Sequence, residues 1–316
     1  MKKSSIALLA GGLFLAAGVA QAKEGGDQYP NGIETWYAGA LPPPGTYFLN
    51  YLGYYGGTLK DGEGDKVKLN AKGDTARVDA TFDALRLVHI TDVKILGANW
   101  GMHGVLPIVN QSVNFPQMGG RASEFGIGDI TIDPFVLAWH HSPELHTAFG
   151  IDINLPTGAY DKHDPRTSIG TNYYSIEPLF AVTWLPAGGW ELSAKFMYNI
   201  KSRNDDGNFL GTIGKYQSGD EFHMDYLVGK HVGDWAFGVS GYYLKQVTRD
   251  EFNGETTSEV PGVFSKGREG QVFAFGPSAM YTSKGGTLFI GQWQHEVAVE
   301  NRFQGDKVLF KLVTPI

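Results

Sequence analysis

Apolar and polar residues alternate with a period of two along most of this chain, the pattern of strands whose two faces meet different surroundings. In residues 191–201, Leu192, Ala194, Phe196, Tyr198 and Ile200 share one face, opposite Glu191, Ser193, Lys195, Met197, Asn199 and Lys201. In 288–302, Phe289, Gly291, Trp293, His295, Val297 and Val299 oppose Gln292, Gln294, Glu296, Glu300 and Arg302. Phe149, Ile151, Ile153 and Leu155 likewise oppose Asp152 and Asn154. Read with its turn residues, the pattern predicts twelve strands near 45–58, 75–90, 93–108, 127–139, 145–156, 172–185, 190–201, 217–232, 235–247, 270–282, 287–302 and 307–315.

The connections alternate too. Residues 57–74, 110–125, 156–171, 202–216 and 248–269 form long ones, whereas Thr91-Asp92, 140–144, 186–189, Gly233-Asp234 and 284–286 are short. Long loops at one end and tight turns at the other describe an all-β fold: a single up-and-down antiparallel transmembrane β-barrel, with long outer loops and short periplasmic turns. A soluble sandwich gives the same alternation with its faces inverted. Segments near 15 residues, however, suit tilted membrane strands better than soluble strands of about 5–6 residues. Aromatics near segment ends are expected to form interfacial girdles: Tyr47, Phe48, Tyr51, Tyr54, Tyr55, Tyr173, Tyr174, Trp184, Trp190, Trp235, Tyr242 and Tyr243.

Ahead of the first strand, Met1-Lys2-Lys3, an apolar run over 6–19 and Ala20-Gln21-Ala22 read as a signal peptide over 1–22. Residues 23–44 then form a leader and 45–316 the barrel. Pro42-Pro43-Pro44 can donate no backbone hydrogen bond and holds an extended course. With Tyr29, these prolines are the candidates for a plug folded into the barrel mouth; a rigid periplasmic lead-in to the first strand is the alternative.

Composition narrows the function. After the signal no stretch approaches the ~20 apolar residues of a membrane helix. The chain has no Cys, so an exported fold must close without disulfides. A net charge of −7 with scattered Lys and Arg argues against nucleic acid as a partner. The expected partners are outer-membrane lipid, lipopolysaccharide and a small molecule that the lumen passes or holds. About twelve strands enclose a lumen between that of filled 8-stranded barrels and open porins.

Parity assigns candidate lumen-lining residues: Asp129 and Asp133 on the fourth strand, Asp152 on the fifth, Glu177 on the sixth, Lys195 on the seventh, Glu221, His223 and Asp225 on the eighth, and Gln292, Gln294, Glu296 and Arg302 on the eleventh. Arg77, Arg86 and Lys230 are possible inward cations, though Arg77 and Arg86 have opposite parity. Such groups either set charge selectivity or fill a narrow barrel with ion pairs. No catalytic residues are assigned, because no Gly-x-Ser-x-Gly occurs and no strand end pairs a Ser with a His. No cofactor or metal is assigned either. His140-His141 with His146, Asp205-Asp206 and Asp61-x-Glu63-x-Asp65 read as solvated turn and loop residues.

Several motifs carry a resemblance. Glu24-Gly25-Gly26-Asp27-Gln28-Tyr29-Pro30-Asn31-Gly32 is followed by Ala38-Gly39-Ala40-Leu41-Pro42-Pro43-Pro44-Gly45-Thr46-Tyr47. Further along come Gly126-x-Gly128-Asp129, Leu155-Pro156-Thr157-Gly158, Asn172-Tyr173-Tyr174, Ser218-Gly219-Asp220-Glu221-Phe222-His223-x-Asp225-Tyr226 and Gly276-Pro277. Together they resemble the SphA-like outer-membrane proteins, the family labelled "putative meta-pathway of phenol degradation". The resemblance implies an outer-membrane channel for passive uptake of hydrophobic or aromatic compounds, without catalysis. The alternative is a structural or adhesin-like barrel working through its outer loops. One departure is the ending Val313-Thr314-Pro315-Ile316, where outer-membrane barrels commonly carry a terminal aromatic.

Overall fold

The structure, a computed structural model, describes residues 26–260 and 263–316. The expected signal peptide and the first leader residues lie outside the described residues. Twelve strands pair antiparallel in a closed ring: β1 (Gly45–Leu59), β2 (Arg77–Ile95), β3 (Ala98–Phe115), β5 (Ile130–His140), β6 (Leu145–Leu155), β7 (Ser175–Trp184), β8 (Trp190–Lys201), β11 (Glu221–Val232), β12 (Trp235–Gln246), β15 (Gln271–Thr282), β16 (Leu288–Glu300) and β17 (Phe303–Pro315). Pairing of β17 with β1, which also pairs with β2, closes the ring and removes every free edge from its middle. β4 (Gly120–Ile127) extends the wall outward, alongside the outer half of β3. A small outer sheet is built from β9 (Asn204–Phe209), β10 (Thr212–Gln217), β13 (Glu251–Phe252) and β14 (Glu255–Thr256).

The faces resolve the ambiguity between barrel and sandwich. Large apolar side chains point out, among them Leu87, Phe180, Trp184, Trp190, Leu192, Trp235, Phe237, Phe275, Trp293 and Phe310. Charged and amide groups point in and are buried. Only a solvent of lipid makes that inversion favourable.

Several expected boundaries shift. The turn placed at Thr91-Asp92 lies at Leu96-Gly97, where Leu96 takes a left-handed φ of 52°. Residues 110–125, expected to be a loop, continue β3 and return as β4 through a turn at Gly119. The loops at 202–216 and 248–269 contain the outer sheet. The last outer connection is tight, with only Asn301-Arg302 between β16 and β17. Near its outer end, β16 departs from simple alternation: Ala298 adopts a φ of 50° and the pairing with β15 shifts register there. The bulge reverses the parity predicted for Val299 and Glu300. Val299 packs inward with Tyr242, Leu244, Val272 and Ala274, and Glu300 turns outward to Lys266. The girdle is also thinner than expected, because Tyr51, Tyr173 and Tyr242 are buried and Tyr55 reaches Glu296. Tyr54, Trp184, Trp190 and Trp235 remain on the outside.

A second bulge lies in β5, where the register with β6 shifts between Ile132 and Leu137. Pro134 cannot donate to a ladder, so the wall must loosen there. Asp133 repairs the gap by accepting the amides of Phe135 at 2.7 Å and Ile151 at 2.9 Å.

Candidate functional site

The lumen is occupied by the chain's own leader. From Gly26 in the outer half it descends to Pro43 at the periplasmic mouth, where Gly45 begins β1. Asn31, Ile33, Thr35 and Trp36 are almost wholly buried in it.

Three tiers of contacts hold the leader. In the outer tier, Arg302 donates to Asp27 at 2.6 Å and 2.8 Å, with Glu221 at 3.4 Å. Glu221 in turn meets Lys201 at 2.8 Å. Gln28 donates to Asp129 at 3.0 Å and accepts from Ser175 at 2.7 Å.

The middle tier centres on Asp225, whose carboxylate accepts Tyr29 Oη–H at 2.6 Å, Gly32 N–H at 2.6 Å and Glu34 N–H at 3.1 Å. Gly32 sits at a φ of 86°, and a side chain there would collide with Gln294 and Tyr242. Its carbonyl accepts from Gln292 at 3.2 Å and Gln294 at 2.9 Å. His223 places Nδ1 2.7 Å from Asn31 and Nε2 3.0 Å from Glu177. Glu296 takes hydrogen bonds from Tyr55 and Tyr242.

The inner tier is electrostatic. Glu34 meets Arg86 at 2.7 Å, Lys311 at 2.5 Å and the Tyr51 hydroxyl at 2.5 Å. Burial opposes ionisation of Glu34, but Lys311 and Arg86 outweigh it and hold its carboxyl far below the usual range. Trp36 donates to Ser278 at 2.7 Å and lies over Gly229, where any side chain would occupy the space of its ring. Glu191 accepts the Tyr37 amide at 2.6 Å, and Thr183 accepts that of Gly39 at 2.9 Å.

The twelve candidates from the sequence lie on the inner side of the wall; ten are joined to the leader or to one another, whereas Asp133 accepts the Phe135 and Ile151 amides and Glu296 accepts from Tyr55 and Tyr242. Lys195 stands over the Tyr29 ring at 4.4 Å. Of the plug candidates, Tyr29 is within the middle tier and Pro42 lines the lower cavity, while Pro43 and Pro44 are exposed at the mouth. Lys230 is not inward: it shares the lipid-side parity of Val228 and reaches the Gly188 carbonyl in the periplasmic turn. Arg77 lies outside with Asp79, and Arg86 inside. Sequence reasoning gave no role to Glu34, Trp36, Lys307 or His103. Glu34 and the adjacent pair Trp36-Tyr37 in the leader were the available signal.

Two cavities remain around the leader, of about 260 Å³ on the outer side and about 420 Å³ on the periplasmic side. Glu34, Arg86, His103 and Lys195 border both and separate them. Above the outer cavity, Val67, Val260 and Phe264 from the loops cluster with Leu59, Val78, Phe115 and Phe303.

This architecture has relatives. The "COG4313 outer membrane channel" of Pseudomonas putida F1 is similar over 88% of this chain and 97% of its own, at 16% identity and a TM-score of 0.73. The transport unit of the autotransporter AIDA-I from Escherichia coli is similar over 88% and 92%, at 8% identity and a TM-score of 0.51. The toluene transporter TodX of Pseudomonas putida aligns over 95% and 97%, at 7% identity and a TM-score of 0.42. At such identities the first two speak for the shared outer-membrane barrel fold alone. No protein of curated function matches the chain. The sequence profile that does match covers residues 56–312, nearly the whole barrel, and by it the chain belongs to the family described as "Putative MetA-pathway of phenol degradation".

Proposed function

We propose that the protein is a passive outer-membrane channel for small hydrophobic or aromatic solutes, with its leader as the constriction. The observation that carries the reading is the polar layer of Glu34, Arg86, His103 and Lys195, which lies between two cavities, one on the outer and one on the periplasmic side of the lumen. The periplasmic-side cavity of about 420 Å³ falls within the range of small-molecule sites, which begins near ~300 Å³, and the outer one of about 260 Å³ lies just below it. Tyr29, Tyr51, Tyr55 and Phe82 offer ring faces in the outer cavity, beside Val105, Pro107 and Val109. The family description points to the same solute class, and the similar Pseudomonas putida F1 protein is itself named an outer membrane channel.

The mechanism needs displacement of the leader from its tiers and then diffusion down a gradient, with no cofactor and no energy input. It includes no catalytic step. His223 is buried between Asn31 and Glu177. The outer sheet of β9, β10, β13 and β14 favours a second reading, a barrel working through its outer surface. Liposome flux separates the two. Entry of phenol or toluene faster than into empty vesicles, and faster still after deletion of residues 23–40, supports the channel. Flux equal to that of empty vesicles in both forms refutes it.

A further inference from the structure

We infer that His103, Asp133 and Asp152 form a binding site for a first-row divalent cation, built into the wall at the level of the constriction. The three come from neighbouring strands β3, β5 and β6, and one ligand atom from each lies within 4.8 Å of the others. His103 Nε2 is 3.1 Å from Asp152 Oδ1 and 3.9 Å from Asp133 Oδ2. Ligands held tetrahedrally at about 2.0–2.2 Å from one zinc ion stand roughly 3.3–3.6 Å apart, so a small adjustment completes the set.

The hydrogen bonding leaves room for a cation. Asp133 is fixed by the amides of Phe135 and Ile151, yet each of its oxygens retains a lone pair. Asp152 Oδ1 has no aligned hydrogen-bond donor although it is buried and touches His103. Its other oxygen faces Lys195 at 4.0 Å. His103 Nδ1 is also buried without a partner, so it can take the ring proton that Nε2 gives up when a cation replaces it between the carboxylates. With the proton on Nδ1, the Nε2 lone pair would face two carboxylates, an arrangement that a cation resolves. One imidazole and two carboxylates suit zinc and its first-row neighbours.

Two cations stand close by and will weaken the site. Arg86 is engaged with Glu34 at 2.7 Å, and Lys195 lies 4.4 Å from the Tyr29 ring and 4.0 Å from Asp152 Oδ2, the oxygen other than the one that meets His103. Positions not taken by protein would open toward the cavities, both of which His103 lines. An ion there adds positive charge at the narrowest level of an acidic lumen and should lower its cation conductance.

The test uses the refolded full chain, with heat-modifiable migration as the check of folding. Co²⁺ binding is followed by visible absorption and Zn²⁺ by competition and by conductance in planar bilayers. The expected result is one equivalent bound by the wild type, with affinity reduced by at least about tenfold in D152N and in H103Q. The double variant H140A/H146A serves as the control, because those two histidines place their Nδ1 atoms 2.7 Å apart in the lower cavity and offer a rival site. Failure of the wild type to bind one equivalent overturns the proposal, whatever the variants do. So does binding that survives D152N and H103Q and disappears in H140A/H146A.

Discussion

Changing Asp225 to Ala removes the acceptor on which the middle of the leader hangs. Three donors from Tyr29, Gly32 and Glu34 converge on that one carboxylate, and Asp225 is fully buried. A hydrogen bond to a charged group contributes about 1.5–3 kcal/mol, and losing the acceptor also strands two buried amides. Since contacts to one group are not additive, the expected loss is about 3–6 kcal/mol rather than a threefold sum. At about 1.4 kcal/mol per tenfold change, the undocked leader becomes about 10²–10⁴ times more populated. The barrel ladder itself needs nothing from this side chain, because β11 keeps its pairing with β8 and β12. The measurement is single-channel conductance, with Trp36 fluorescence reporting the leader separately. D225A should open more often, its Trp36 should move to a wetter environment, and D225N should fall between it and wild type. A D225A barrel with wild-type conductance, when deletion of the leader opens the channel, would refute the reasoning.

The Glu34 carboxyl is held well below its ordinary value of 4.5, so its contribution to docking is full above that value and is lost as the pH falls further. Conductance should therefore rise on strong acidification, and E34Q should be open already at neutral pH. Gly229→Val fills the seat of the Trp36 ring, and is expected to release the inner tier with a gain in conductance but no loss of heat-modifiable folding. Among the described residues, eight carboxylates turn inward from the wall (Asp129, Asp133, Asp152, Glu177, Glu191, Glu221, Asp225 and Glu296), against six cations (Arg86, Lys195, Lys201, Arg302, Lys307 and Lys311). The leader adds Asp27 and Glu34, so reversal potentials in a salt gradient should show cation preference, weaker after the leader is deleted. In the outer loops, burial pushes Asp250 up to about 6, against the hydrogen bonds from Tyr216 and Gly219. Its protonated form stabilises the loop sheet below its ordinary 3.8, and that contribution, about 3 kcal/mol, is lost as the pH rises through 6. Protection factors over 247–260, with the intrinsic base-catalysed exchange rate divided out, should be lower at neutral pH than at pH near 4, and D250N should abolish the difference.

Much of the barrel was legible because its rule is local. A period of two needs only neighbouring residues, so the faces of 145–155, 191–201 and 221–232 could be read directly, and with them the inward positions of Asp152, Lys195 and Asp225. The strand count followed from turn residues. Where a bulge intervened the rule failed: Ala298 shifted Val299 inward and Glu300 outward. Tyrosines defeated it as well, since Tyr51, Tyr55 and Tyr242 serve a polar lumen as readily as a lipid interface.

The sequence by itself determined the architecture and the inward face of most strands, because side-chain parity in a β-strand is a property of the chain alone. Tertiary structure decided everything that depends on distance across the barrel. Asp225 meets Gly32 over a separation of 193 residues and Lys311 meets Glu34 over 277, so no local pattern could have joined them. Only closure of β17 onto β1 and the threading of the leader brought those charges together. Burial then raised the cost of leaving any one of them unpaired.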